Sequence, residues 1–325
     1  MTGSTEIIEQ GGVDAGERPA PSPGRFGDRA FRLASAGAGV LLLVIMAAIA
    51  AFLVAEAIPA LRANHASFWT TTTWNPDGTP SVFGIAALAF GTVLTSLIAL
   101  VIATPVAVGV ALFISHYAPR RLAAFLGYVV DLLAAVPSVV YGLWGLIFLV
   151  PAVQPVWAWL HGTLGFIPLF SADQVAGKSV LTGSLVLAIM ILPIIAAVSR
   201  EVFLQAPVEL QEAALGLGAT RWEMIRMTVL PFGRSGVVSA AMLGLGRALG
   251  ETIAVAMVLP AAFTVSLQLL NTNGNSIAAN IANTFAEAGE TGRGALIASG
   301  LVLFVITLAV NMAARLVIAR KKVRA

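Results

Sequence analysis

Two ionisable residues lie where an apolar chain can least tolerate them. Arg247 and Glu251 stand four residues apart inside the apolar run 235–261, a spacing that puts two side chains on one face of a helix. A charge at the bilayer centre costs roughly 2.5–3.5 kcal/mol on insertion scales, so both are expected to point into protein or water. The pair has two physical explanations. One is a mutual ion pair that holds helices together, although Arg ahead of Glu is the poorer order within one helix. The other is a path for an anion. A guanidinium presents a planar fork of donors that suits phosphate oxygens. A carboxylate can accept a hydrogen bond from a protonated phosphate, whereas fully deprotonated sulfate has no proton to give. Asp131, about eight residues into the run 123–150, is a further intramembrane acid, expected to serve as a structural partner of nearby donors.

The longest charged, hydrophilic segment between apolar runs is Glu212–Pro231, EAALGLGATRWEMIRMTVLP. Its punctuation predicts helix, glycine turn, helix. Pro207 suits a first helical position and Gly218 a helix C-terminus. Thr220 with Glu223 three residues on is a capping-box signal, and Pro231 is expected to end the second helix with Leu230 outside the α region. Trp222, Ile225 and Val229 form an apolar stripe, with Arg221, Glu223 and Arg226 largely off it. Such a helix either docks a soluble partner or lies on lipid headgroups, and the spacing leaves both open.

Other chemistry finds no support. The chain has no cysteine, so thiol catalysis, disulfides and Cys-ligated metals are excluded. His65, His116 and His161 are isolated and fall near the ends of apolar runs, which argues against a metal site and against an intramembrane enzyme. Ala172–Ser179 matches a relaxed phosphate-loop pattern but precedes an apolar run and follows no strand. Gly244–Gly250 is glycine-rich but misses dinucleotide spacing by one residue; its Gly246 and Gly250 instead suggest a GxxxG face for close helix packing.

The elements that must position these residues are membrane helices. Of 325 residues, 58% are hydrophobic and 11% charged, against roughly 25% charged in soluble domains. Residues 1–32 are expected to be a flexible tail, not a cleaved signal peptide. A first span is predicted over 33–59, an outer loop over 60–83, and five further spans near 86–116, 123–150, 179–200, 235–261 and 294–318 within a core at 84–318, closed by a basic tail at 319–325. Fifteen of the nineteen Lys and Arg residues fall on one side of this arrangement. The positive-inside rule then places both termini and the loop 205–232 in the cytoplasm. The basic residues sit at span ends without an aromatic-interleaved face, so no nucleic-acid partner is expected. The turn Asn75–Gly78 and the tryptophans Trp69, Trp74, Trp157 and Trp159 occupy outer loops, as interfacial anchors or partner contacts. Pro105, Pro137 and Pro193 each fall well inside a different predicted span, as expected where helices must rearrange.

Glu212, Ala213 and Ala214, then Gly218, then Leu230 and Pro231 resemble the EAA loop of ABC-importer permeases. Thr228 departs from the branched apolar residue often found there. GRALGETIAVAMV (Gly246–Val258) and VPSVVYG (Val136–Gly142) are similar to spans of the permeases of the high-affinity phosphate ABC importer, and the sequence after GET is nearer the C-like of its two permeases. This resemblance implies an all-α polytopic membrane protein with six transmembrane helices and the type I ABC-importer permease fold, in a bacterial inner or plasma membrane. It implies ATPase coupling through Glu212, Ala213, Ala214, Gly218, Arg221, Leu230 and Pro231. Arg247 and Glu251 would line the substrate path, and Pro137, Ser138, Tyr141, Gly246 and Gly250 would serve packing or gating. The chain itself would bind no cofactor or metal and catalyse no covalent chemistry. ATP and magnesium would sit on two ATPase subunits, beside a homologous A-like permease and an extracytoplasmic phosphate-binding protein. Rivals are a sulfate, molybdate or amino-acid importer and an autonomous ion-coupled carrier or channel.

Overall fold

The structure is a computed structural model that describes residues 25–322. Residues 1–24 of the expected tail and 323–325 of the basic tail lie outside the described residues. Residues 25–32 are already helical, because α1 runs Arg25–Ala63 with Asp28 in its first turn and Arg62 in its last. Both charges complement the helix dipole. Two compact units are defined, one ending at Ala51 and the other beginning at Phe52. The first holds the N-terminal part of α1, with exposed apolar side chains such as Leu41 and Leu43.

The second unit carries the remaining elements. A small hairpin pairs β1 (Trp74–Asn75) with β2 (Val82–Phe83). Then come α2 (Ala86–Leu112), α3 (Arg120–Ala134), α4 (Ser138–Trp144), α5 (Val150–Leu164), α6 (Val180–Leu204), α7 (Val208–Gly216), α8 (Arg221–Met224), α9 (Leu230–Leu249), α10 (Ile253–Val258), α11 (Ile277–Thr284) and α12 (Glu290–Lys322). Six helices among the described residues are long and apolar enough to cross a bilayer: Gly27–Ala63, Ala86–Tyr117, Ser138–Leu164, Val180–Leu204, Arg221–Leu249 and Glu290–Ala313.

The third and fifth of these differ from the sequence-based boundaries. No continuous helix covers 123–150. The chain breaks at Ala135–Pro137, since Pro137 cannot donate an N–H and pushes Val136 out of the α region. Pro137 therefore starts α4 instead of kinking the middle of a span. The fifth long helix begins at Arg221, well before residue 235, and passes straight through Pro231, with Leu230 helical at φ −65 and ψ −44. A π turn at Ile225–Val229 makes this possible. Its wider backbone keeps the proline ring from driving into the preceding turn, where an α-helix would clash. The other two π turns, Phe113–Tyr117 and Gly145–Leu149, likewise end two residues ahead of Pro119 and Pro151. Pro105 and Pro193 lie inside α2 and α6.

The core centres on α6, flanked by α2 and α9. Small residues allow the approach. Ala99, Ala103 and Ala107 of α2 are fully buried, and a Cβ on Gly244 of α9 would lie 2.8 Å from the Ile195 side chain. Gly233 and Gly236 meet Phe203 and Val202 of α6 in the same way. The Gly246 and Gly250 face takes no part in this packing: among the described residues, nothing lies within 4 Å of a Cβ built on Gly246, and one on Gly250 meets only the Gly246 carbonyl.

At the end of the bundle bearing the hairpin, Asn64 bonds both backbone groups of Phe83, through Nδ2 at 2.8 Å and Oδ1 at 3.2 Å. Trp74 stacks on Phe263 at 6.3 Å. Trp157 donates its indole N–H to Thr182 at 2.8 Å, while Trp69 and Trp159 are exposed.

Candidate substrate path and coupling surface

Arg247 lies in the last turn of α9. One turn before it, Gly244 packs on Ile191 and Ile195 near the middle of α6, which sets Arg247 close to mid-depth. Helix α9 ends at Leu249, and the N–H groups of Gly250 and Glu251 close back on Gly246 and Ala248 at 3.3 Å each. The expected shared helical face of Arg247 and Glu251 is therefore absent. Glu251 is 8% exposed, and its Oε1 accepts the N–H of Ala254 at 3.1 Å. It satisfies one of the orphan donors of α10. The ion-pair explanation fails: among the described residues, only Arg200 makes an ion pair, to Asp131 and Glu201. The Nε of Arg247 is buried without a hydrogen-bond partner among the described residues. An unmatched guanidinium donor at this depth has a standing preference for an acceptor.

The neighbouring wall is α4. A Cβ on Gly142 would lie 2.6 Å from the Ala254 Cα and 3.1 Å from the Met257 sulfur, and one on Gly145 would lie 2.8 Å from Val186. Gly142 lets α4 and α10 lie in near-backbone contact, and Gly145, in the π turn that follows, lets that segment pack on Val186 of α6. The spacing of Gly142 and Gly145, three apart in an apolar run, was the available sequence signal for these contacts. Tyr141 packs against the cluster of Val186, Ala254 and Val258, and its hydroxyl donates to the Leu133 carbonyl at the end of α3, 2.9 Å away. Ser138 opens α4 directly after Pro137. The structure thus brings Tyr141 and Gly142 against α10, the helix that follows Arg247 in the chain.

The polar stretch is a second, separate surface. Pro207 is the N-cap of α7 and not its first helical residue. No residue of α7 is buried, so Glu212 and Ala213 are exposed, while Ala214 packs partly beneath. Gly218 adopts φ +88. Gly218 donates to Leu215 at 3.0 Å and Ala219 to Ala214 at 3.1 Å, a Schellman closure that needs the left-handed residue glycine supplies. Thr220 and Glu223 form the expected capping box, with Thr220 N–H to Oε2 at 2.8 Å and Glu223 N–H to Oγ1 at 3.3 Å.

Ile225 and Val229 are buried with Met224 against Phe203, Ala206 and Leu112. Trp222, expected on that stripe, is exposed instead, because the buried face runs through Met224, Ile225 and Val229. Arg221 and Pro231 are exposed and Leu230 is half-buried. The outcome is a firmly seated base beneath an exposed apolar rim of Leu210, Leu215, Leu217 and Trp222, of which Leu217 is 90% exposed.

Residues 103–323 match the family described as binding-protein-dependent transport system inner membrane component. The chain belongs to that family.

This family member is 49% identical to the phosphate transport system permease protein PstC 2 of Mycobacterium tuberculosis over 298 residues, which is 90% of this chain and 92% of the relative. It is 42% identical to the phosphate transport system permease protein PstC of Xylella fastidiosa over 297 residues, 90% and 91% of the two chains. The MetNI methionine ABC transporter, solved in inward-facing conformations, superposes with a TM-score of 0.52 at 14% identity, covering 71% of this chain and 92% of that one. That likeness establishes the ABC-importer permease fold. As an inner-membrane component of a binding-protein-dependent system, the chain is a multi-pass permease subunit.

Proposed function

We propose that this subunit carries inorganic phosphate across the bacterial inner or plasma membrane as half of the translocation path of an ATP-driven importer. The observation that carries the substrate assignment is Arg247, a mid-depth guanidinium with a buried unpaired Nε, in a chain nearly half identical to phosphate permeases. A homologous A-like permease would complete the path. An extracytoplasmic phosphate-binding protein would deliver the substrate. Two ATPase subunits, holding ATP and magnesium, would dock on the exposed rim of 205–232 and close it toward the membrane. Both termini would lie in the cytoplasm with that loop. The chain would perform no covalent chemistry and bind no cofactor of its own. Arg247 would pair with phosphate oxygens in passage, and the Glu251 carboxylate, fixed at the start of α10, would accept from protonated phosphate.

Uptake of radiolabelled phosphate into cells with and without this chain, with sulfate as competitor, tests the assignment. Phosphate uptake that requires the chain and resists sulfate supports it. Sulfate uptake that requires the chain would move the assignment to another oxyanion. Phosphate transport by the purified chain without ATPase subunits would make it an autonomous carrier.

A further inference from the structure

Among the described residues, one ion pair joins two different elements. Arg200, one turn from the end of α6, donates through Nη2 to Asp131 of α3 at 3.4 Å, and through Nη2 and Nε to its neighbour Glu201 at 2.8 and 3.1 Å. The guanidinium lies in a cleft of about 560 Å³ between α3 and the ends of α2 and α6, with its side chain 15% exposed against 54% for Asp131. Gly127, one turn before Asp131, is what admits it, since any Cβ there would collide with Nη1. Arg200 therefore lies across α3 at the one point where α3 has no side chain.

Both ends of this tether lead somewhere. Beyond Arg200, α6 ends at Leu204 and the chain turns within a few residues into α7, where Gln211 bonds back to the Ala206 carbonyl at 3.1 Å. Beyond Asp131, α3 ends with the Leu133 carbonyl held by Tyr141 of α4, which packs against the cluster holding Ala254 and Val258 of α10, the helix that follows Arg247. We propose that Arg200 is a positioning residue that ties α3 to α6, so that displacement of the 205–232 loop is passed through α3 to Tyr141 and the Arg247 region. The inference rests on reading that loop as the ATPase dock. Partly exposed ion pairs contribute little to stability, so loss of this one should appear in coupling and not in folding.

The test uses the assembled importer in proteoliposomes and reads ATP hydrolysed per phosphate moved. Asp131→Asn and Arg200→Gln should each raise that ratio about fivefold or more, with complex assembly and the KM for phosphate unchanged. The double variant should be no worse than either single one, because the two act through each other. Asp131→Glu should recover most of the coupling. An unchanged ratio in Asp131→Asn, or losses that multiply in the double variant, would overturn the tether. If the unsubstituted complex moves no phosphate, the substrate assignment falls instead. The tether is then judged by whether Asp131→Asn abolishes stimulation of ATP hydrolysis by the loaded binding protein; full stimulation would reject it.

Discussion

Arg247 and Glu251 are neighbours in sequence but not partners. The chain turns at Gly250, and the Glu251 carboxylate accepts from Ala254 at 3.1 Å while the Arg247 Nε has no acceptor. The carboxylate thus serves the start of α10 and, among the described residues, leaves the guanidinium without a counter-ion. A helical i, i+4 pair would have occupied that donor.

Arg247→Ala should reduce phosphate uptake by about tenfold or more, since a hydrogen bond to a charged group contributes roughly 1.5–3 kcal/mol. Glu251→Gln keeps an oxygen for the Ala254 N–H and removes only the charge. It should retain the fold and lose part of its discrimination against sulfate. Glu251→Ala loses the cap as well and should lower the thermal midpoint. Uptake assays with both anions, alongside thermal melts of the purified subunit, separate these effects.

Gly218→Val should uncouple the importer. Its φ of +88 costs a side chain with a Cβ roughly 1–2 kcal/mol, and a β-branched residue suffers most. Thr220→Ala removes the capping box beside it at about 1 kcal/mol. Neither change touches a membrane span, so insertion should persist while stimulated ATP hydrolysis and uptake part company.

Orientation is open to a clean test because the chain contains no cysteine. Single cysteines at Leu217 and Trp69, both well exposed, should respond oppositely to a membrane-impermeant maleimide on intact cells. Labelling at 69 and protection at 217 is the expected result. The reverse would invert the topology and remove the ATPases from the 205–232 loop.

The end of the bundle carrying the hairpin should owe measurable stability to Asp77. Its two oxygens accept the N–H groups of Gly289 and Gly292 at 2.9 and 2.8 Å, pinning the hairpin turn to the start of α12. A Cβ on either glycine would collide with that carboxylate. Asp77→Ala should cost about 1 kcal/mol, as loss of an N-cap does, or about 1–2 °C in a chain of 325 residues. Asp77→Asn keeps one acceptor and should fall between. A differential scan of the purified subunit decides it.

What the linear chain determined by itself was whatever depends on neighbours close in sequence. The number of spans follows from apolar run length, and the Schellman turn and capping box from Gly218, Thr220 and Glu223. Each is a local balance of burial, backbone conformation and hydrogen bonding, so its signature survives in composition and spacing. The tertiary structure decided where helices stop or run on. Pro137 breaks a run that Pro231 does not, because a π turn makes room for the proline ring in one place, while in the other Ser138 begins a helix packed on α10. It also decided who meets whom: Arg200 with Asp131 and Asp77 with Gly289. Those pairings depend on the approach of backbones tens or hundreds of residues apart, permitted by single glycines such as Gly127 and Gly142, and no pattern along the chain records which surfaces will face each other.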